Sequence, residues 1–320
     1  MDRSSHLGFQ LRAIACLLAC LLGLSGHAAL AQELDANEVS KVRLIGESAK
    51  AAPGQTVLLG LHFELADHWH IYWDGRNDTG FPATVDWTLP EGVSVGPMLW
   101  PTPSRYISPG NILDHVYEGR PTILVPLTID ADVEVGTKLT ISGQVEWLVC
   151  RDVCLPGFGA VSFDLEIAAP SNEPQAKLST GPIAEAIRRL PVPIVSETPD
   201  GGLSLQWQDP VVVVGLPQAV GLSFHPAMES TTLAFPIEDA HAQASELRLR
   251  LSRPERDLGT GGERRLVGII EGHAADGTSI AYQIDFGPDG LREPRHARET
   301  HAAQQRLRDP PAWWPMTGAR

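Results

Sequence analysis

Cysteine is scarce in this 320-residue chain: there are four, and two of them, Cys16 and Cys20, fall in a segment that reads as a leader. Basic charge is also short. Lysine and arginine number 25 against 39 aspartates and glutamates, for a net charge of −14. Nucleic-acid binding needs a basic footprint, so nucleic acid is excluded as a partner. An acidic surface otherwise says little beyond solubility. After residue 24 no apolar run approaches the ~20 residues that a membrane-spanning helix requires. No Ser-His-Asp order, phosphate-binding glycine loop or paired-carboxylate motif stands out, so hydrolase and nucleotide-binding readings lack support and no cofactor is implied.

The apolar run Ala13 to Leu24 follows Arg3 and Arg12 and precedes Ala29-Leu30-Ala31. That is the pattern of a secretory signal with an Ala-x-Ala cleavage site, giving a signal peptide over 1–31 and a periplasmic mature protein. Leu17-Leu18-Ala19-Cys20 resembles a lipoprotein box, but the run continues through Leu21, Leu22 and Leu24, so lipid anchoring at Cys20 is set aside. An exported protein works where thiols are oxidised and paired.

Strand patterns dominate the mature chain. Val57, Leu59, Leu61 and Phe63 share one face of a strand over 56–65, and 39–45, 67–73, 84–87, 122–129, 139–149 and 160–167 read as further strands. Trp100 to Tyr117 carries Pro101, Pro103 and Pro109 and reads as a long loop without regular structure of its own. Ala169 to Pro174 is a linker by composition. Beyond it one short helix is expected over 183–190, then strands at 203–207, 211–216, 221–225, 231–237, 245–251, 265–271 and 279–286. The expectation is an all-β chain of two β-sandwich domains, 38–168 and 175–288, with a disordered tail over 289–320.

The remaining cysteines, Cys150 and Cys154, are separated by three residues. An extended chain would hold their Cα atoms roughly 13 Å apart at about 3.3 Å per residue. A disulfide needs them within about 7 Å, so if they bond, Arg151-Asp152-Val153 must turn tightly. Trp147 to Val149 reads as the end of a buried strand, and Pro156-Gly157 as the stop of regular structure after the pair. Three readings stand. The pair is a redox centre, in which Arg151 favours a thiolate. It is a structural bridge in a binding module, although so short a loop would gain only about 2 kcal/mol. Or, with His68 and His70 two apart on a strand, it supplies ligands for copper or zinc.

Seven segments stand in order across 40–168: Trp69-His70-Ile71-Tyr72-Trp73, Gly80-Phe81-Pro82, Leu89-Pro90-Glu91-Gly92, Trp100-Pro101-Thr102-Pro103, Tyr117-Glu118-Gly119, Val125-Pro126-Leu127 and Trp147 to Gly157. Together they resemble the N-terminal periplasmic domain of the DsbD-type thiol–disulfide interchange reductases, in particular the ScsB-like branch associated with copper tolerance. The resemblance implies an immunoglobulin-like fold and a protein-disulfide reductase activity carried by Cys150 and Cys154. It also implies electrons taken from a membrane-embedded thiol reductase and passed to periplasmic thioredoxin-like proteins. By position, Trp100 to Tyr117 matches a cap over the pair, with Tyr106 or Ile107 near the sulfurs, and Tyr72 matches a tyrosine beside them. The family's multi-span membrane domain and C-terminal thioredoxin domain are not in this sequence, and its best-known member spaces the cysteines more widely.

Overall fold

The computed structural model describes residues 34–170, 178–195, 202–252 and 264–307. The expected signal peptide with Cys20, the centre of the linker and the end of the tail lie outside these residues.

A single-turn helix α1 (Ala36–Val39), capped by Asp35, leads into the first group of strands. These are β1 (Ser40–Gly46), β2 (Lys50–Ala51), β3 (Thr56–Leu65), β4 (His70–Tyr72), β5 (Thr84–Thr88), β6 (Val93–Val95), β7 (Ser104–Ser108), β8 (Ile112–Glu118), β9 (Thr122–Ile129), β10 (Lys138–Cys150) and β11 (Cys154–Ile167). One sheet has the order β1-β3-β9-β6. The other runs β2-β11-β10-β4-β8-β7, with β5 alongside the middle of β10. Alternation along β3 turns Val57, Leu59, Leu61 and Phe63 inward, all fully buried. From the facing sheet, Val145, Trp147 and Val149 of β10 meet them, and the Phe63 and Trp147 rings pack edge to face at 5.8 Å. The Trp147 indole N–H donates to Ser40 Oγ at 2.9 Å, so this large core ring leaves no polar atom unpaired.

The second group begins with helix α2 (Pro182–Arg188) and continues through β12 (Val192–Pro193), β13 (Ser204–Gln208), β14 (Val211–Gly215), β15 (Gly221–Pro226), the short helix α3 (Pro236–Asp239), β16 (His241–Ala242), β17 (Glu246–Arg250), β18 (Leu266–His273), β19 (Ser279–Gly287) and β20 (Gly290–Leu291). It ends in helix α4 (Ala297–Gln304). Its sheets are β12-β19-β18-β15-β16, with β20 on β19, and β13-β14-β17. Val212, Val214, Phe224, Leu249, Ile270 and Tyr282 are among the residues filling the space between them. Both halves are all-β sandwiches of the immunoglobulin-like kind. Among the described residues, strands of 40–167 pair only with one another, and so do those of 192–291.

Four expectations need correction. Trp100 to Tyr117 is not a structureless loop but the hairpin β7–β8, joined to β4. Its prolines stand outside the paired positions, Pro103 just before β7 and Pro109 in the turn after it, and β7 is an edge strand. Pro156-Gly157 does not stop the chain, since β11 passes through both. At that end β11 is an outer strand, met by β2 only at Glu166 and Ile167, so a missing N–H on its free side is tolerated. Residues 231–237 form no strand: Leu233 bridges Leu251, and Pro236 opens α3. Finally, 289–307 is folded. In α4 a stripe of small residues, Ala297, Thr300 and Ala303, is buried, and Ala303 and Leu307 pack with Leu58 and Leu124 of the first half and with α2.

Candidate functional site

Cys150 and Cys154 are directly opposite one another across the β10–β11 hairpin. Their Cα atoms are 4.1 Å apart and the sulfurs are bonded at 2.05 Å. Arg151-Asp152-Val153 makes the required turn, and the Arg151 N–H donates to the Val153 carbonyl at 3.1 Å. Because Trp147 and Val149 point into the core, alternation puts Leu148 and Cys150 on the outer face of the sheet, with Cys154 beside them.

The two sulfurs see different surroundings. Cys150 is 2% exposed and packs with Tyr72, Val116 and the partly buried Tyr106 and Leu148. Cys154 is exposed. Register explains the cluster. Cys150 opposes His70 of β4, Tyr72 opposes Val116 of β8, and Tyr106 of β7 opposes Asp114, so one face of three neighbouring strands converges on the bridge. Tyr106 lies over the His70 ring at 4.6 Å between centroids. Ile107, its neighbour on the opposite face of β7, is 49% exposed and outside this cluster.

A polar chain runs from the exposed sulfur inward. The Tyr72 hydroxyl is 3.8 Å from Cys154 Sγ and 3.4 Å from Thr79 Oγ1. Thr79 donates its hydroxyl proton to Asp114 Oδ2 at 2.6 Å and its N–H to Oδ1 at 3.0 Å. Burial raises the Tyr72 pKa, so its proton stays available as a hydrogen-bond donor. Gly80 rests on the ring of this tyrosine: a Cβ there would come within 2.1 Å of Tyr72 Cζ. Thr79, Gly80, Asp114, Val116 and Leu148 carry no sequence signal of their own for this site. Only Gly80-Phe81-Pro82, part of the family resemblance, points to this loop.

The other candidates are placed differently from expectation. His68 is exposed in a turn, with φ of 67°, whereas His70 is buried at the start of β4, so the two histidines do not share a strand face. Burial holds the His70 pKa below its ordinary value, keeping the ring neutral. Among the described residues no three His, Cys, Asp or Glu side chains gather as a metal-holding group. Arg151 pairs with Asp152 at 2.9 Å and lies 5.1 Å over the Trp69 ring, which engages its charge away from a thiolate.

Residues 42–166 match the family described as thiol:disulfide interchange protein DsbD, N-terminal. Among solved structures, the chain is similar to the N-terminal periplasmic domain of ScsB from Proteus mirabilis, at 18% identity and a TM-score of 0.49, over 78% of this chain and 94% of that one. More distant likenesses include AvmM, which catalyses macrocyclization in alchivemycin A biosynthesis, at 12% identity over 43% of this chain and 94% of that one, with a TM-score of 0.20. The E. coli chaperone DraB is another, at 10% identity over 76% of this chain and 97% of that one, with a TM-score of 0.21. No match was found among curated proteins. Residues 42–166, which contain the bonded cysteine pair, thus resemble the N-terminal domain of the DsbD thiol–disulfide interchange proteins.

Proposed function

We propose that Cys150 and Cys154 form a redox centre that passes electrons from a membrane-embedded thiol reductase to thioredoxin-like proteins of the periplasm, and that Cys154 is the sulfur that exchanges with both. The observation that carries this reading is the asymmetry of the bridge, one sulfur open to solvent and the other enclosed. Exchange requires a thiolate to reach a sulfur along the S–S axis, and access decides which sulfur is attacked.

In the reducing direction, the Cys154 thiolate attacks the acceptor's disulfide. A mixed disulfide forms and one acceptor sulfur leaves as a thiolate. The Cys150 thiolate then attacks Cys154 Sγ, which closes the internal bridge and releases the acceptor as a dithiol. Two electrons move from this protein to the acceptor. The reverse sequence, with a reductase thiolate attacking Cys154, restores the dithiol. Tyr72 O–H, within reach of both Thr79 and Cys154, favours the Cys154 thiolate by donating to it. No described helix is long and apolar enough to cross a membrane.

The test is to trap partners with single-cysteine variants. Cys150→Ser should accumulate a mixed disulfide through Cys154 with a thioredoxin-like protein, and Cys154→Ser should not. If neither variant traps, and the wild-type bridge resists reduction by the glutathione and thioredoxin couples at roughly −200 to −270 mV, the bridge is structural and the redox reading is wrong.

A further inference from the structure

The second half has no cysteine, yet two short connections tie it to residues that surround the sulfurs. The first is the hairpin β7–β8. In a strand, adjacent side chains point to opposite faces. Tyr106, Asp114 and Val116 face the disulfide cluster, so Arg105 and His115 face the other way. Arg105 Nη2 donates to the Ile237 carbonyl at 2.8 Å. The His115 ring packs edge-on against His225 of β15 at 5.1 Å, with Trp73 against both. The core of the first half continues across this contact into Ile269 and Ala281 of the second.

The second connection is the loop 76–79. At one end Arg76 is gripped by the second half. Its N–H donates to the Pro226 carbonyl at 2.9 Å, and its guanidinium donates to Thr232 Oγ1 at 3.1 Å, to the Met228 carbonyl at 3.2 Å and to the Ser230 carbonyl. At the other end Thr79 meets the Tyr72 hydroxyl, the group beside Cys154 Sγ. Between them, Asn77 Oδ1 accepts the His115 N–H at 2.7 Å and the Arg76 carbonyl accepts from His115 Nδ1 at 2.7 Å, which locks loop and hairpin together.

We propose that the second half is a brace for the cysteine site: by holding the β7–β8 hairpin and the loop 76–79 from behind, it keeps Cys150 enclosed and so confines thiol exchange to Cys154. Arg76 and Arg105 are the positioning residues. The idea rests on the proposed redox function for its biological use, but its physical content, the selective protection of one thiol, does not depend on any partner.

Without the brace, Tyr106 and Val116 lose their backing and the hairpin opens more often. A bridge or dithiol with both sulfurs open would react with small thiols and with unintended proteins at either position. Protection of buried groups is set by the free energy of such local opening, so loosening one contact shows as a rate change at the group it shields.

The experiment compares alkylation of the two thiols in the reduced full-length protein. Iodoacetamide labelling is read by mass spectrometry, with hydrogen exchange of residues 104–118 measured in parallel. In the wild type, Cys154 should react at least about ten-fold faster than Cys150, as expected for an exposed and an enclosed thiol. In Arg105→Gln and in Arg76→Gln, Cys150 labelling should rise about five-fold or more while Cys154 changes less than about two-fold, and exchange in the hairpin should speed up. Arg105→Lys, which keeps a donor toward the Ile237 carbonyl, should restore much of the protection. The two links are separate, so if one variant fails to fold the other carries the test. Faster exchange of the hairpin with Cys150 still protected overturns the proposal. So does unchanged exchange in a folded variant. Iodoacetamide needs no redox partner, so a failure to trap thioredoxin-like proteins would count against the proposed function and leave this result standing.

Discussion

Tyr72 shows how one side chain serves two surroundings. Its ring is a wall of the pocket that encloses Cys150, and Gly80 is needed because the ring lies where any larger residue would place its Cβ. Its hydroxyl sits at the edge of the pocket, next to the exposed sulfur. Tyr72→Phe separates the two roles, since the ring remains and the donor is lost. A hydrogen bond to a charged group contributes about 1.5–3 kcal/mol, and a pKa unit corresponds to about 1.4 kcal/mol. In the reduced protein the Cys154 thiol pKa should therefore rise by about one unit, read from the pH dependence of its alkylation, with little change in melting temperature. An unchanged profile would remove Tyr72 from the chemistry and leave it a packing residue. That the tyrosine belongs near the pair is legible only through the family resemblance. Thr79 and Asp114, which orient it, lie 35 residues apart in sequence and carry no local pattern that links them.

At the scale of elements, the long alternating strands are readable because burial acts on every second residue of β3 and β10, and a period of two survives in the sequence. The β7–β8 hairpin is not, because prolines that bound an edge strand look the same in a sequence as prolines that forbid one. The same ambiguity at Pro156 hides the first residues of β11, which begins at Cys154. What seats β8 is equally invisible locally: His115 is buried against Trp73 and His225 from distant parts of the chain. Burial pushes the His115 pKa from 6.5 down to about 3, with the neighbouring His225 adding to the effect. A folded pKa below the unfolded one means that the unfolded chain binds the extra proton. The stability this supplies is complete above pH 6.5 and is lost as pH falls toward about 3. His62 and His70, also lowered by burial, act with the same sign. Resistance to urea should thus weaken on acidification below pH 6.5, and His115→Phe should reduce that slope by one proton's share, about 1.4 kcal/mol per pH unit. An identical slope in the variant would mean that His115 is solvated in the folded protein.

At the scale of the whole molecule, the chain closes on itself in a way its composition conceals. Residues 289–307 are rich in arginine, histidine and glutamine, which reads as tail, but they are held by a narrow stripe of small residues and by ion pairs, among them Arg295 with Glu229 and Arg306 with Glu47. Ala303 and Leu307 cover Leu58 and Leu124, the outward-facing side of β3 and β9 that the sandwich core leaves bare. Leu307 also bridges Leu178, next to α2. Arg306 completes the closure. Its guanidinium pairs with Glu47, which is 5% exposed, and donates to the Thr56 carbonyl at 2.6 Å. Glu47 in turn accepts the Leu58 N–H at 2.7 Å, so the carboxylate is held by both its cation and the strand it caps. Removing the cation alone leaves an enclosed carboxylate with one neutral donor. Breaking one partner out of such a pair costs about 3–5 kcal/mol, and access of water to Arg306, 19% exposed, places the effect at the lower end, about 3 kcal/mol. Arg306→Met, which keeps the apolar stem, should lower the unfolding free energy by that amount in urea titration. The double variant with Glu47→Gln should recover a large part of the loss, because the uncompensated charge is gone. If the single variant costs less than about 1 kcal/mol, the pair is solvated as surface pairs are, and packing of α4 alone holds the C-terminal segment to the first half.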